Sequence, residues 1–330
     1  MTPRTGGLRA GAAVLGGLLL GLSFWPGRSG WLCWVGFIPL LWALRGEEPA
    51  PSFLLGWLCG TCGWAVGTYW LAPPIADFFK VGAAPALLLF LGICAYHGLM
   101  VAVPAWLARI LAPEGGRVPA FVCAMTASEA FFPLILPITF SYTQYFRLQA
   151  VQSVELLGPA GLTLLVFSVN GALYRWLGDA RRWKTLVLAA LAFAANESYG
   201  TWRLRRVEAE TARRIAEEPL KVALIQPGFP IGLSSLALQK SLTRSAADGA
   251  GEGLGIVVWP EATLGRKLRY RLGADGTPED PIIAGTPLKD FLLREVAAPA
   301  PILLNTRPSV EEGTGEPRTY NVSFLADGTG

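Results

Sequence analysis

Long runs of apolar residues fill roughly the first 200 positions of this chain and restrict its fold more than any other feature. Each run is bounded by charged residues or proline, and the longer runs approach the ~20 residues that a helix needs to cross a bilayer. We therefore predict a multi-span α-helical membrane bundle of about seven spans. The runs lie at residues 10–25, 31–44, 53–71, 84–111, 118–136, 156–177 and 185–195.

The distribution of charge divides the chain into parts. Charged residues make up only 16% of the sequence, whereas a soluble domain carries about 25%. They are sparse before Glu197 and occur every few residues after it. We predict a transmembrane domain at 1–196, a charged helical linker at 197–218 and a soluble domain at 219–330. The net charge of +4 is small and no basic stripe is interleaved with aromatic residues, so nucleic-acid binding is not predicted.

Basic residues in the connections between spans predict the topology. With the N-terminus inside, eight basic residues lie on the inner side and three on the outer side, as the positive-inside rule requires. Seven spans then place the soluble domain outside the cytoplasm. The outer residues are Arg28, Lys80 and Arg147, and the inner residues are Arg4, Arg9, Arg45, Arg109, Arg117, Arg181, Arg182 and Lys184.

Polar residues within predicted spans are candidates for function because their burial in lipid is costly. His97, the only histidine, is predicted to hydrogen-bond between helices, and Glu129 is predicted to reach water at the end of its span. Cys59 and Cys62 have the spacing of a metal or redox pair, but they lack accompanying ligands and are interpreted as packing residues. No metal or cofactor is predicted. The polar aromatic loop at 137–152 fits either lipid binding or an aromatic belt.

After residue 219 the pattern changes to short β-branched runs. Residues 220–226 and 254–259 are predicted to be buried parallel strands separated by a helix at 234–247. A second helix, N-capped by Thr286, is predicted at 286–296. Strand and helix in alternation predict an α/β layered domain, and its further apolar runs lie at 281–285, 302–304 and 320–326.

The segment Ile256-Val257-Val258-Trp259-Pro260-Glu261 carries the clearest local signal. A buried strand runs into proline and presents a carboxylate at its C-terminal end, where open α/β sheets place their chemistry. On this hexapeptide alone, a glutamate that caps or ion-pairs at a strand end is the favoured interpretation.

Several segments, taken in order, resemble a known family. Residues 220–226, Val258-Trp259-Pro260-Glu261 and Tyr320-Asn321 are similar to the first half of a nitrilase-type carbon–nitrogen hydrolase domain, an αββα sandwich. Seven spans before such a domain resemble bacterial apolipoprotein N-acyltransferase. The resemblance covers nearly the whole chain and includes Pro39-Leu40-Leu41-Trp42, Gly63-Trp64-Ala65-Val66-Gly67, Ser141-Tyr142-x-Gln144, Gly158-Pro159-Ala160-Gly161-Leu162 and Tyr199-Gly200-x-x-Arg203.

This resemblance implies a Glu-Lys-Cys triad outside the bacterial inner membrane. The cysteine takes an acyl chain from a phospholipid as a thioester and passes it to the N-terminal S-diacylglyceryl cysteine of a lipoprotein. Glu261 matches the general base, which is the one catalytic residue that the resemblance assigns here. The lysine and cysteine have no match, since no cysteine follows Cys123. The α/β domain is therefore expected to be incomplete, truncated at the C-terminus, and the chain inactive as given.

Leu233-Ser234-Ser235 also departs from the family, whose members often carry a tryptophan in that segment. Two alternatives to an interrupted acyltransferase stay open. One is a non-catalytic membrane protein that binds lipid or lipoprotein as a remnant of the family. The other is a membrane-tethered amidase for soluble substrates, which would need the same cysteine and would not need seven spans.

Overall fold

The computed structural model divides the chain into two compact units, Met1–Ala209 and Glu210–Gly330. The residues described are 3–27, 29–217, 219–226, 233–250, 253–260, 268–271, 282–283, 286–291, 296, 300–306, 309–311, 318–319 and 322–326.

The described residues of the first unit form helices and the connections between them, and its last helix continues past the unit boundary at Ala209. Its α-helices are α1 (Pro3–Leu22), α2 (Ile38–Ala43), α3 (Pro49–Gly67), α4 (Ala72–Phe79), α5 (Ala83–Leu111), α6 (Arg117–Phe131), α7 (Leu148–Val151), α8 (Val154–Gly178) and α9 (Trp183–Glu217). Short 3₁₀ segments lie at Ser29–Trp34, Tyr69–Leu71, Glu114–Gly116, Phe140–Gln144 and Ala180–Arg182. Each predicted apolar run contains helix, and residues 197–217 are helical as the continuation of α9, while the linker and its boundaries stay a prediction.

Two described helices, α5 and α8, are long and apolar enough to cross a membrane. Both are longer than the ~20 residues that a perpendicular span requires. The apolar parts of α1 and of the segment Ser29–Ala43 are shorter. These two helices are what the structure contributes to the membrane assignment, and the count of seven spans stays a prediction.

Small residues allow the helices of the first unit to approach closely. A Cβ added to Gly21 on α1 would lie 2.6 Å from the carbonyl oxygen of Gly63 on α3. One turn earlier on α3, a Cβ at Gly60 would lie 2.8 Å from the carbonyl oxygen of Gly98 on α5. Membrane helices pack in this way because van der Waals contact between backbones replaces the hydrophobic effect.

One buried amide joins the N-terminal part of the first unit to α8. The Asn170 side chain accepts a hydrogen bond from Phe37 N at 3.0 Å and donates to Cys33 O and Val166 O, both at 2.9 Å. The rings of Phe37 and Phe167 meet edge-on beside it, with centroids 5.0 Å apart. Because Asn170 is 1% exposed, each of these polar groups depends on the others for its partner.

The second unit contains two sheets in its described residues. Its strands are β1 (Lys221–Leu224), β2 (Leu254–Val258), β3 (Leu268–Arg271), β4 (Ile282–Ile283), β5 (Thr286–Pro287), β6 (Ile302–Thr306), β7 (Ser309–Glu311), β8 (Arg318–Thr319) and β9 (Val322–Ala326). The first sheet has the order β1-β2-β6-β9, with β1, β2 and β6 parallel and β9 antiparallel. The second has the order β5-β4-β3-β7-β8. Helices α10 (Leu233–Ala250) and α11 (Leu288–Asp290) also lie among the described residues of this unit.

Three local predictions are corrected in the second unit. β1 is parallel to β2 as predicted but is not buried: Leu224 is 75% exposed because the strand lies at the edge of its sheet. Thr286 does not cap a helix, since it pairs with Ile283 in β5, and Pro287 takes the N-cap position of α11. The predicted helix at 234–247 is confirmed, but it begins at Leu233 and continues beyond the predicted end to Ala250.

Candidate functional site

The C-terminal end of β2 is the first part of the candidate site. Backbone bonds of 2.9 Å fix it on both sides, from Ile225 N to Val258 O and from Trp259 N to Leu303 O. Val257 and Ile302 are fully buried within the same sheet. The chain therefore leaves the sheet from a rigid, central, parallel strand, as the sequence predicts. Glu261 lies just beyond the described residues at this point.

A buried tryptophan ties the same strand end to the helix that precedes it. Trp259 is 3% exposed, and its indole Nε1 donates to Thr243 Oγ1 on α10 at 3.0 Å. Thr243 is fully buried, so its hydroxyl is out of contact with water and the hydrogen bond from the indole offsets that loss. The pair holds the register of Trp259, and hence the direction in which Pro260 leaves the strand. The sequence does not predict this partner.

Gln144, from the segment Ser141-Tyr142-x-Gln144, is the centre of a buried network in the first unit. Its Oε1 accepts from Trp34 Nε1 at 2.9 Å. Its Nε2 donates to Gly30 O at 2.9 Å and to Thr143 Oγ1 at 2.8 Å. Gln144 is fully buried. The predicted interfacial loop is therefore an ordered 3₁₀ turn fixed to the segment Ser29–Trp34, more than a hundred residues away in sequence.

Arg147 connects this turn to α9. Its guanidinium lies 2.8 Å from the Glu197 carboxylate and stacks over the Trp31 ring at 3.8 Å from the centroid. Both charged side chains are largely covered, at 18% and 27% exposure. A stacked, ion-paired arginine strengthens the attachment of the turn because the guanidinium plane matches ring and carboxylate together.

The segments Tyr199-Gly200-x-x-Arg203 and Gly158-Pro159 meet around Glu155. The Glu155 carboxylate accepts from Tyr199 Oη at 2.5 Å and from Arg203 Nε at 2.6 Å. The hydrogen bond to this carboxylate raises the pKa of Tyr199 above its usual range. Gly158 adopts φ 66°, a conformation that favours glycine, and so lets the first turn of α8 depart from the rest of the helix.

Glu129 and His97 differ from their predictions. Glu129 does not reach water: it is 5% exposed and accepts a hydrogen bond from the backbone N–H of Phe140, because the chain after α6 folds back over it. His97 is fully buried and stacks on Trp64, with ring centroids 4.1 Å apart. Neither His97 nitrogen has a hydrogen-bond partner among the described residues, so the expected inter-helix bond is not seen there.

The cysteines lie on helical segments of the first unit, and all five are free thiols. Cys59 is buried and Cys62 half-buried on α3, where they pack against neighbouring helices. Among the described residues, no group of three or more histidine, cysteine, aspartate or glutamate side chains could hold a metal ion. The chemistry that the described residues provide is thus positional: a fixed strand end in one unit and a fixed polar turn in the other.

Comparison with known proteins identifies relatives of this chain. The family profile described as "Apolipoprotein N-acyltransferase N-terminal domain" matches residues 16–172. A protein from Geobacter metallireducens named apolipoprotein N-acyltransferase is 30% identical over 76% of this chain and 50% of its own length. Proteins of the same name from Brucella melitensis and Gloeobacter violaceus are 26% and 32% identical, over 98% and 65% of this chain. These matches cover 62% and 42% of those two proteins, so the chain spans about half the length of the curated relatives it matches.

Proposed function

Because this chain is a membrane protein of the apolipoprotein N-acyltransferase family, we propose that it belongs to an enzyme that N-acylates lipoproteins. The acyl donor is a phospholipid, and the acceptor is the α-amino group of an N-terminal S-diacylglyceryl cysteine. The protein crosses the bacterial inner membrane several times, and its α/β unit faces the periplasm. Both substrates are membrane-anchored, which accounts for a helical membrane unit joined to a catalytic unit.

The rigid end of β2 carries this proposal. Trp259 is fixed by Thr243 and by Leu303, and the next residue but one is the carboxylate that the family resemblance assigns as general base. A general base acts efficiently when its position is set by the scaffold and not by a mobile loop. The nitrilase-like αββα arrangement is part of the same proposal, supported by the parallel strands β1, β2 and β6.

The proposed reaction has two half-reactions. Glu261 takes the proton of a cysteine thiol, and the thiolate attacks the ester carbonyl of the phospholipid. The tetrahedral intermediate collapses to a thioester, and the lysophospholipid leaves as an alcohol with the proton returned by Glu261. The lipoprotein amine then attacks the thioester, forms the amide and releases the thiol. A cysteine for this step occurs at none of positions 219–330.

That distribution of cysteines favours one second candidate, a lipid- or lipoprotein-binding protein without catalysis. The two candidates are separated by mass spectrometry of a diacylated lipoprotein mixed with phospholipid and purified protein. We expect no third acyl chain from these 330 residues alone. Residues 1–326 joined to the remaining C-terminal part of the Geobacter relative should restore the transfer, because the family resemblance places the cysteine after the matched residues.

The same chimera tests Glu261. Glu261→Gln should remove acyl transfer, because an amide cannot take the thiol proton. Glu252→Gln, a loss of charge immediately before β2, is the matched control and should leave it intact. A folded chimera that binds the diacylated lipoprotein without transferring an acyl chain would support the binding protein. Transfer that survives Glu261→Gln would contradict the role of this residue.

A further inference from the structure

A half-open cavity of about 450 Å³ lies at one end of the first unit. It is formed where α2 and α8 end and where α5 passes into α6 through the turn Glu114–Gly116. Five arginines line it, from four different parts of the sequence: Arg45, Arg109, Arg117, Arg175 and Arg182.

The charge on the cavity wall is strongly one-sided. Against the five arginines stand two carboxylates, Glu114 and Asp179. Asp179 is already engaged, since it lies 3.5 Å from Arg182 and accepts from Arg181 N at 3.1 Å. The floor is apolar and includes Leu41, Ala108 and Phe121. A cationic wall over an apolar floor at the ends of membrane helices is typical of a headgroup pocket.

Two of the arginines have buried donors without acceptors. The Nε atoms of Arg117 and Arg175 are inaccessible to solvent and have no hydrogen-bond partner among the described residues. Neither the Arg117 nor the Arg175 side chain forms an ion pair with another described residue. A buried guanidinium donor without a partner is costly, so both side chains keep binding capacity that the described residues do not use. Guanidinium groups bind phosphate oxygens through paired N–H donors.

The positive-inside rule by itself explains arginines in loops, but it does not explain their convergence. Arg181 lies beside Arg182 and Lys184 lies at the start of α9, and both are exposed and line no part of this cavity. The five cavity arginines share one space and a common apolar floor. A ligand site requires several arginines to line one cavity, whereas the positive-inside rule requires only that they lie on the inner side of the membrane.

We propose that this cavity binds the phosphate headgroup of an anionic phospholipid. The last turn of α8, with Tyr174, Arg175 and Gly178, lines the cavity, and about 30 Å of helix separates it from the Gln144 turn that precedes α8. A lipid bound here serves to hold α2, α5, α6 and α8 together at this end. The proposal does not depend on the acyltransferase activity, since every residue it uses lies in the first unit.

The primary test is native mass spectrometry of the purified chain released from nanodiscs that contain equal amounts of phosphatidylglycerol and phosphatidylcholine. The protein should retain phosphatidylglycerol in excess. Equal retention of the two lipids would overturn the proposal whether or not any variant folds.

Short-chain phosphatidylglycerol titrated into the protein in detergent gives the affinity. Arg117→Gln/Arg175→Gln should weaken binding about a hundredfold, because each charge-assisted contact accounts for about a factor of ten. Arg181→Gln is the control and should bind as the unmodified chain does. If Arg181→Gln weakened binding as much as the double variant, the loss of affinity would come from the general surface charge. That result would contradict a headgroup site in the cavity.

Inorganic phosphate and short-chain phosphatidylcholine complete the experiment. Neither should displace the anionic lipid, because the former lacks a chain for the apolar floor and the latter is neutral overall. Displacement by inorganic phosphate at matched concentration would assign the cavity to a soluble anion and overturn the lipid. The thermal unfolding of the double variant in phosphatidylcholine nanodiscs should equal that of the unmodified chain, and only the stabilisation by phosphatidylglycerol should be lost.

Discussion

The Arg147 guanidinium lies 2.8 Å from the Glu197 carboxylate and so joins the polar turn after α6 to α9. The same guanidinium covers the Trp31 ring, which brings the segment Ser29–Trp34 into the contact. Three stretches that are far apart in sequence therefore meet at one charged group.

We expect Arg147→Ala to lower the stability of the first unit by about 1–2 kcal/mol, through loss of both the ion pair and the ring contact. Glu197→Gln should cost less, because the stacking on Trp31 remains. Arg147→Lys should resemble Arg147→Ala more than the unmodified chain, since an ammonium cannot stack as a plane. Thermal unfolding in detergent, followed by maleimide labelling of the buried thiols Cys33 and Cys59, measures all three. Unchanged stability in Arg147→Ala would show that the contact carries no energy.

Gln144→Ala should be among the most destabilising polar substitutions in the first unit. It leaves the Trp34 indole and the Gly30 carbonyl without partners in a buried site, at about 1–3 kcal/mol for each group. Gln152→Ala is the control, because Gln152 makes one exposed bond to Leu148 O and should change stability by less than about 0.5 kcal/mol. The same maleimide assay compares them, and equal effects of the two substitutions would contradict the network.

Gly200→Ala should disrupt the contact between α9 and α7, because an added Cβ would overlap the carbonyl of Gln149. Backbone cannot move aside as a flexible side chain can, so we expect a loss of about 2 kcal/mol or more. Gly92→Ala on α5, where nothing lies within 4 Å of the added carbon, should instead stabilise by about 0.5–1 kcal/mol. Opposite signs in thermal unfolding are the expected result, and a neutral Gly200→Ala would argue against the close approach.

Trp259→Phe and Thr243→Val should each loosen the end of β2. The first removes the indole donor and the second removes its acceptor, so the double variant should cost less than the sum of the two. Hydrogen exchange of peptides covering β2 and β6, measured in the whole chain, should show faster exchange in both single variants. Strictly additive effects would mean that the two side chains do not act as a pair.

The positions of the helices follow largely from the apolar runs, but the networks that organise them do not. Gln144 finds Trp34 at a separation of 110 residues, and Asn170 finds Phe37 at 133. No local pattern encodes such partners, because their meeting depends on how the helices pack. The prediction that Glu129 reaches water is wrong for the same reason. Its position near a helix end predicts exposure, and only the return of the chain at Phe140 buries it.

In the second unit the strand that ends at Trp259 is predictable, because a continuous β-branched run before proline is typical of a buried parallel strand. The hydrogen bond from Trp259 to Thr243 is not predictable, since nothing in the helix sequence distinguishes Thr243 before the sheet covers it. The role of Glu261 rests on the family resemblance and stays a prediction, because that residue lies outside the described positions.

The amide of Asn170 restricts that position from two directions. Its oxygen accepts one hydrogen bond from a backbone N–H, and its nitrogen donates hydrogen bonds to two backbone carbonyl oxygens. A carboxamide is the neutral group that offers both an acceptor and donors in one plane. Asn170→Asp would keep the acceptor but would place a negative charge next to two carbonyl oxygens. Asn170→Leu would keep the side-chain volume but would leave all three backbone groups without a hydrogen-bond partner. The position is therefore closed to acidic and to apolar replacement alike, and a saturation library selected for folded protein should return asparagine.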